Sequence, residues 1–77
     1  MIRELDQVVL ECDLTAHRLA RGDVGTVLLV HDEGAGYEVE FTALDGETIA
    51  VTTLSADQVR EVSHHEIAHA RDLANAA

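Results

Sequence analysis

Tyr37-Glu38-Val39-Glu40-Phe41 alternates apolar and acidic side chains without a break. Neighbouring side chains of a pleated strand point to opposite faces, so Tyr37, Val39 and Phe41 share one face and both glutamates share the other. A period of two argues against a helix. It makes a half-buried β-strand, greasy inside and anionic outside, the unit from which the fold is read. On its N-terminal side, Asp32-Glu33-Gly34-Ala35-Gly36 reads as a turn, with glycines available for the positive φ values that side chains resist. Before that turn, Val24-Gly25-Thr26-Val27-Leu28-Leu29-Val30 is nearly continuously apolar, as expected of a strand buried on both faces or curved at its glycine.

On the C-terminal side, Asp45-Gly46 is a hairpin-turn pair leading into the β-branched run Thr48-Ile49-Ala50-Val51-Thr52-Thr53-Leu54. Ser55 is placed to cap one short helical turn over Ala56-Asp57-Gln58, and Val59-Arg60-Glu61-Val62 follows as a brief strand. At the other end of the chain, Asp6 to Cys12 reads as a first strand, and the polar segment Asp13 to Asp23 as a long loop. Five short strands with one long first loop, tight hairpins and a helical turn before the last strand predict a mainly β fold, a small SH3-like barrel over residues 1–62. Closing the sheet would also hide its edges. Ser63 to Ala77 changes character. Ser63 with Glu66 matches a capping box, and five alanines follow, which predicts a C-terminal α-helical extension over 63–77. A helix of about 12 residues is marginal alone and would need a surface to dock on.

The chain of 77 residues is strongly acidic: 15 carboxylates face five arginines and no lysine, for a formal net charge of −10. Binding to a phosphate backbone or an anionic lipid surface is driven by cationic side chains, so direct nucleic-acid and membrane partners are not expected. A cationic protein surface would instead be attracted and its association accelerated. Apolar residues make up 47%, enough for one core. The single cysteine, Cys12, and the lack of a basic-then-apolar start point to a cytoplasmic protein.

Four blocks carry a family resemblance. They are Ile2-Arg3-Glu4-Leu5-Asp6-Gln7-Val8-Val9-Leu10, then Gly22-Asp23-Val24-Gly25-Thr26-Val27 leading into Tyr37 to Phe41, then Asp45-Gly46, and last Thr53-Leu54 before the helical turn. Over residues 2 to 62 they resemble a family of small bacterial proteins of unknown function. The resemblance implies SH3-like barrels with no assigned activity and no catalytic residues. Its members' association with toxin-like proteins implies an antitoxin or immunity role. The Gly22 to Val27 block is also similar to a glycine turn in ribosome- and polymerase-associated barrels that touch RNA. The basic residues such modules use are missing from this chain.

Among residue patterns with chemical meaning, His65-Glu66-Ile67-Ala68-His69 is the sharpest. On a helix it would put two histidines one turn apart, with a glutamate between them to activate water. Asp72 would lie on the same face, completing a metal set of His65, His69 and Asp72. A zinc hydrolase also needs a third ligand from another element and a walled cleft, and a solvated helix face accounts for the same residues. Glu66 is already explained by the capping box. Protonation of His64, His65 and His69 below about pH 6.5 would make the tail a pH-sensitive contact. Cys12 with His17 as a thiol and base pair is outweighed by Cys12 as a small buried hydrophobe, and His31 reads as a strand-terminal polar residue. Tyr37 and Phe41, the only aromatics, fall on the apolar face and leave no stacking platform.

The resulting expectation is a non-enzymatic module without a cofactor that binds a basic protein partner, with an antitoxin or immunity-type inhibitor as its sharper form. Asp32, Glu33, Glu38, Glu40, Asp45 and Glu47 are the expected partner-binding residues, because the third strand and its flanking loops concentrate them. A metal-binding or minimal zinc-hydrolase role through His65 and His69 is one alternative. Self-association through the C-terminal helix is the other.

Overall fold

The computed structural model describes residues 1–73. Five strands form one antiparallel sheet: β1 (Gln7–Leu10), β2 (Val24–His31), β3 (Gly36–Thr42), β4 (Thr48–Ser55) and β5 (Val59–Glu61). Their spatial order is β4-β3-β2-β1-β5. The closed SH3-like barrel expected from the sequence is therefore corrected to an open sheet. Among the described residues β4 pairs only with β3 and β5 only with β1, so both are edge strands.

The alternation read in β3 decides the packing. Tyr37, Val39 and Phe41 join Val8, Leu10, Val27, Leu54 and Val59 in a single buried cluster, and Leu19 reaches it from the first loop. Burying one such aliphatic or aromatic side chain is worth about 1.5–3 kcal/mol, so this inner face is the main source of stability. Leu14 and Leu19 bridge across the loop, and the Asp23 carboxylate holds it in shape by accepting the Ala20 amide at 2.8 Å. Gly25, opposite Val8 in the β1–β2 ladder, lies where any β-carbon would press on Val39 and Phe41.

β2 departs from its sequence reading. The β2–β3 register shifts between Val27 and Leu29, so the strand is bulged rather than buried on both faces, and Val24, Leu28 and Leu29 are exposed. The turn at 32–36 is also differently built. Asp32 and Glu33 take positive φ values of 47° and 58°, with Gly34 at 106°, while Gly36 is the first residue of β3.

Among the described residues the predicted C-terminal α-helix is absent. Over 63–73 the chain forms one turn at His64–His65 and then runs without regular structure except at Leu73, and positions 74–77 lie outside the described residues. Half of the expected capping box is present: Glu66 Oε1 accepts the Ser63 amide at 2.7 Å. What replaces the helix is an extended strap, residues 63–73, tied to β5 and to the loop before β2. Arg60 on β5 donates two hydrogen bonds to the Glu66 carboxylate, at 2.8 and 2.7 Å. Arg71 donates to Asp23 Oδ1 at 2.9 Å and also to Oδ2, while Arg18 donates to the Leu73 carbonyl at 3.0 Å. Val9 pairs with both Arg60 and Val24, the residue after Asp23, so two anchor points of the strap, Arg60 and Asp23, lie on either side of β1. A short helix with mostly alanine to bury gains little from docking, and two forked arginine–carboxylate contacts outweigh it.

Candidate functional site

The ladder registers define the outer face of the sheet, the side away from the core. One row runs Gln7, Thr26, Glu40, Val51; the next runs Leu29, Glu38, Thr53; a third runs His31, Gly36, Ser55. Gly36 puts no side chain between His31 and Ser55. A shallow trough opens there, lined also by Asp32, Glu38, Thr53 and Leu54.

Both β3 glutamates are half-buried, and both lean the same way. Glu38 Oε1 accepts the Thr53 hydroxyl at 2.7 Å, and Glu40 Oε2 accepts the Thr48 hydroxyl at 2.8 Å. Since both threonines belong to β4, the two carboxylates are drawn over β4 toward the edge of the sheet. A sequence pattern places Glu38 and Glu40 outward, but only the β3–β4 register reveals their threonine partners.

The six acids expected to meet a partner do not converge on one patch. Glu38 and Glu40 occupy the middle of the outer face. Asp32 and Glu33 sit in the β2–β3 turn at one end of β3, and Asp45 and Glu47 sit in the β3–β4 turn at the other, where Asp45 Oδ1 accepts the Glu47 amide at 2.9 Å. At about 3.3 Å per residue, the two ends of this strand are roughly 20 Å apart. The acids frame a strip running along β3 and β4 instead of a single pocket.

Charge is divided sharply between the two sides of the sheet. Residues 24–59, which hold β2, β3 and β4, contain seven carboxylates (Asp32, Glu33, Glu38, Glu40, Asp45, Glu47, Asp57) and no arginine or lysine. The remaining eight carboxylates and five arginines lie outside that span, leaving −7 within it and −3 beyond it. Three of the arginines, Arg18, Arg60 and Arg71, are committed to the strap. Arg60 also lies 3.4 Å from Glu11. The cations thus gather at the β1–β5 side, and the β3–β4 side is left uniformly anionic.

The strap carboxylates are perturbed. Hydrogen bonding from Arg60, then from the Ser63 amide, lowers Glu66 to a pKa of about 2 against a partial opposing effect of desolvation. Burial pushes the Asp23 carboxyl up, but the hydrogen bonds from Arg71 and the Ala20 amide and the Arg71 charge together bring it below its ordinary value.

The metal set is not assembled. Without a helix, His65 and His69 are no longer one turn apart on a common face, and Glu66 is held by Arg60. Among the described residues no group of three or more histidine, cysteine or carboxylate side chains is arranged to hold a metal ion. Cys12 is half-buried and accepts a long hydrogen bond from Gln58 Nε2 at 3.8 Å, whereas His17 is exposed on the short turn Thr15–His17. Tyr37 and Phe41 are buried in the core. Among the described residues, no helix is long and apolar enough to cross a membrane.

No curated protein and no solved structure matches the chain. The model of one family, a domain of unknown function designated DUF4926, matches residues 4–61, from just before β1 to the last residue of β5, so the strap falls outside the match. That span covers most of the chain, and the protein belongs to the DUF4926 family.

Proposed function

We propose that this protein is a non-enzymatic binding module whose anionic β3–β4 side receives a basic surface of a partner protein. The observation that carries the reading is the charge division: seven carboxylates and no arginine or lysine over residues 24–59. A field of one sign speeds encounter with a cationic partner and disfavours anionic ones, including nucleic acid and acidic membrane surfaces. Exposed Leu29 and Val51 among the glutamates add apolar contact area, which a charged rim alone would lack. The sharper form of the reading is an inhibitor of the antitoxin or immunity type, in which binding silences the partner.

The test is affinity capture on immobilised protein from native lysate at low salt, followed by elution at high salt, with the eluted protein then purified and rebound. The reading predicts a partner of high isoelectric point that is released by salt and rebinds when pure. A lysate that yields no salt-sensitive partner would remove the reading.

A further inference from the structure

The two edges of the sheet are unlike. β5 has three residues, two of them charged, and Glu61 on it is paired at 3.0 Å with the N-terminal amine. β4 has eight residues, Thr48-Ile49-Ala50-Val51-Thr52-Thr53-Leu54-Ser55, with no charge, proline or glycine. Among the described residues it pairs with β3 alone. A long, uncharged, β-branched edge is the kind that proteins ordinarily guard, because its unpaired amides and carbonyls template another strand.

We propose that the free edge of β4 is a strand-addition site for an extended basic segment of a partner protein, in which cationic side chains at alternate positions reach Glu38 and Glu40. The proposal rests on the basic-partner reading above and adds its mode of binding. Main-chain hydrogen bonds along β4 supply affinity, and side-chain alternation supplies selectivity. An added strand would lie about 4.8 Å beyond β4, with every second side chain on the outer face. Glu38 and Glu40 are two residues apart on that face, matching the same alternation, and Thr53 and Thr48 already hold their carboxylates over β4. An arginine or lysine on the added strand therefore needs to cross only one strand.

Charge decides between this occupant and a second copy of the chain. Pairing two β4 edges would bring together two sides that each carry seven carboxylates and no arginine or lysine, with Asp45 and Glu47 flanking one end of the strand and Asp57 the other. Like charges so placed oppose self-pairing and favour a cationic strand.

The experiment uses the full chain and a fluorescein-labelled eight-residue peptide alternating arginine with threonine and valine, read by fluorescence anisotropy. Its control is the same peptide N-methylated at every backbone nitrogen, which keeps the charge and removes the donors. The proposal predicts binding at about 0.05 M salt that weakens strongly by about 0.5 M, at least a roughly tenfold loss on methylation, and hydrogen-exchange protection confined to β4 amides. The double variant Glu38→Gln, Glu40→Gln keeps an oxygen for each threonine and should bind about two- to tenfold more weakly at low salt, with an unchanged circular dichroism spectrum. Equal binding of both peptides would overturn strand addition while leaving a basic partner in place. Failure of both peptides, with a salt-sensitive partner still captured from lysate, would likewise overturn it. A dimer of the free protein that the peptide dissociates would show that the edge belongs to a second copy, and would overturn the proposal as well.

Discussion

Replacing Gly25 by alanine tests the packing of the core at its tightest point. A β-carbon there would lie 2.6 Å from Val39 Cγ1, 2.8 Å from Phe41 Cε2 and 2.9 Å from Phe41 Cδ2, all closer than such carbons approach in folded proteins. Val39 and Phe41 are 0% and 2% exposed, so neither side chain has solvent to turn into. Gly25 is not in the left-handed region, so alanine meets no backbone strain and the cost is one of overpacking. Overpacking a filled core by one carbon costs about 1–3 kcal/mol, and the stiffer unfolded chain returns about 0.4–1 kcal/mol. The expected net loss is roughly 1–2 kcal/mol. In urea, with a slope of about 1 kcal/mol/M for a small domain, the unfolding midpoint should fall by roughly 1–2 M. Adding Phe41→Leu should cost less in the Gly25→Ala background than in the wild type, because it removes part of the clash. An unchanged or raised midpoint for Gly25→Ala would show that β2 and β3 are not so closely opposed, and the β2–β3 register would be refuted.

Acid should release the strap before it unfolds the sheet. The Glu66 carboxyl is lowered from 4.5 to about 2 and Asp23 lies below its ordinary value, so their docking contribution is complete above about pH 4.5 and lost as pH falls toward 2. Amide order parameters for residues 63–73 should fall across that window, and in Arg71→Ala the distal part should already be loose at neutral pH. Retention of order down to pH 2, or its loss above pH 5.5, would contradict the arginine–carboxylate ties. Leu5 is 77% exposed and held at φ 73°, a region asparagine tolerates better than leucine. Leu5→Asn should therefore stabilise by several tenths to about 1 kcal/mol, seen as a melting temperature a few degrees higher; a lower melting temperature would mean that Leu5 contributes packing.

The strands were legible because each carries its own period or composition. The alternation from Tyr37 to Phe41 marks β3 and its core face, Asp45-Gly46 marks the turn into β4, and the β-branched run marks β4 itself. Sheet closure was not legible, because whether β4 meets β5 depends on curvature summed over several registers and no local residue pattern encodes it. The tail misled for a related reason. Alanine content and a Ser63–Glu66 box are local helix signals, but Arg60 and Asp23, brought to the tail by the folded sheet, offer better contacts to an extended strap. In the turn after β2, glycines are the visible cue to left-handed backbone, yet Asp32 and Glu33 adopt it as well, which side chains seldom do. For the candidate site, the outward glutamates were legible. Their threonine partners and the position of β4 at the edge of the sheet beside them needed the strand order.

The proposed occupant of the β4 edge is a basic strand. The most direct measurement is a titration of isotopically labelled protein with the alternating arginine peptide, following backbone amides by two-dimensional NMR. Strand addition predicts the largest shifts along Thr48–Ser55, with Glu38 and Glu40 moving alongside and the strap residues 63–73 unchanged. Shifts confined to the strap or the 11–23 loop, with β4 silent, would contradict it.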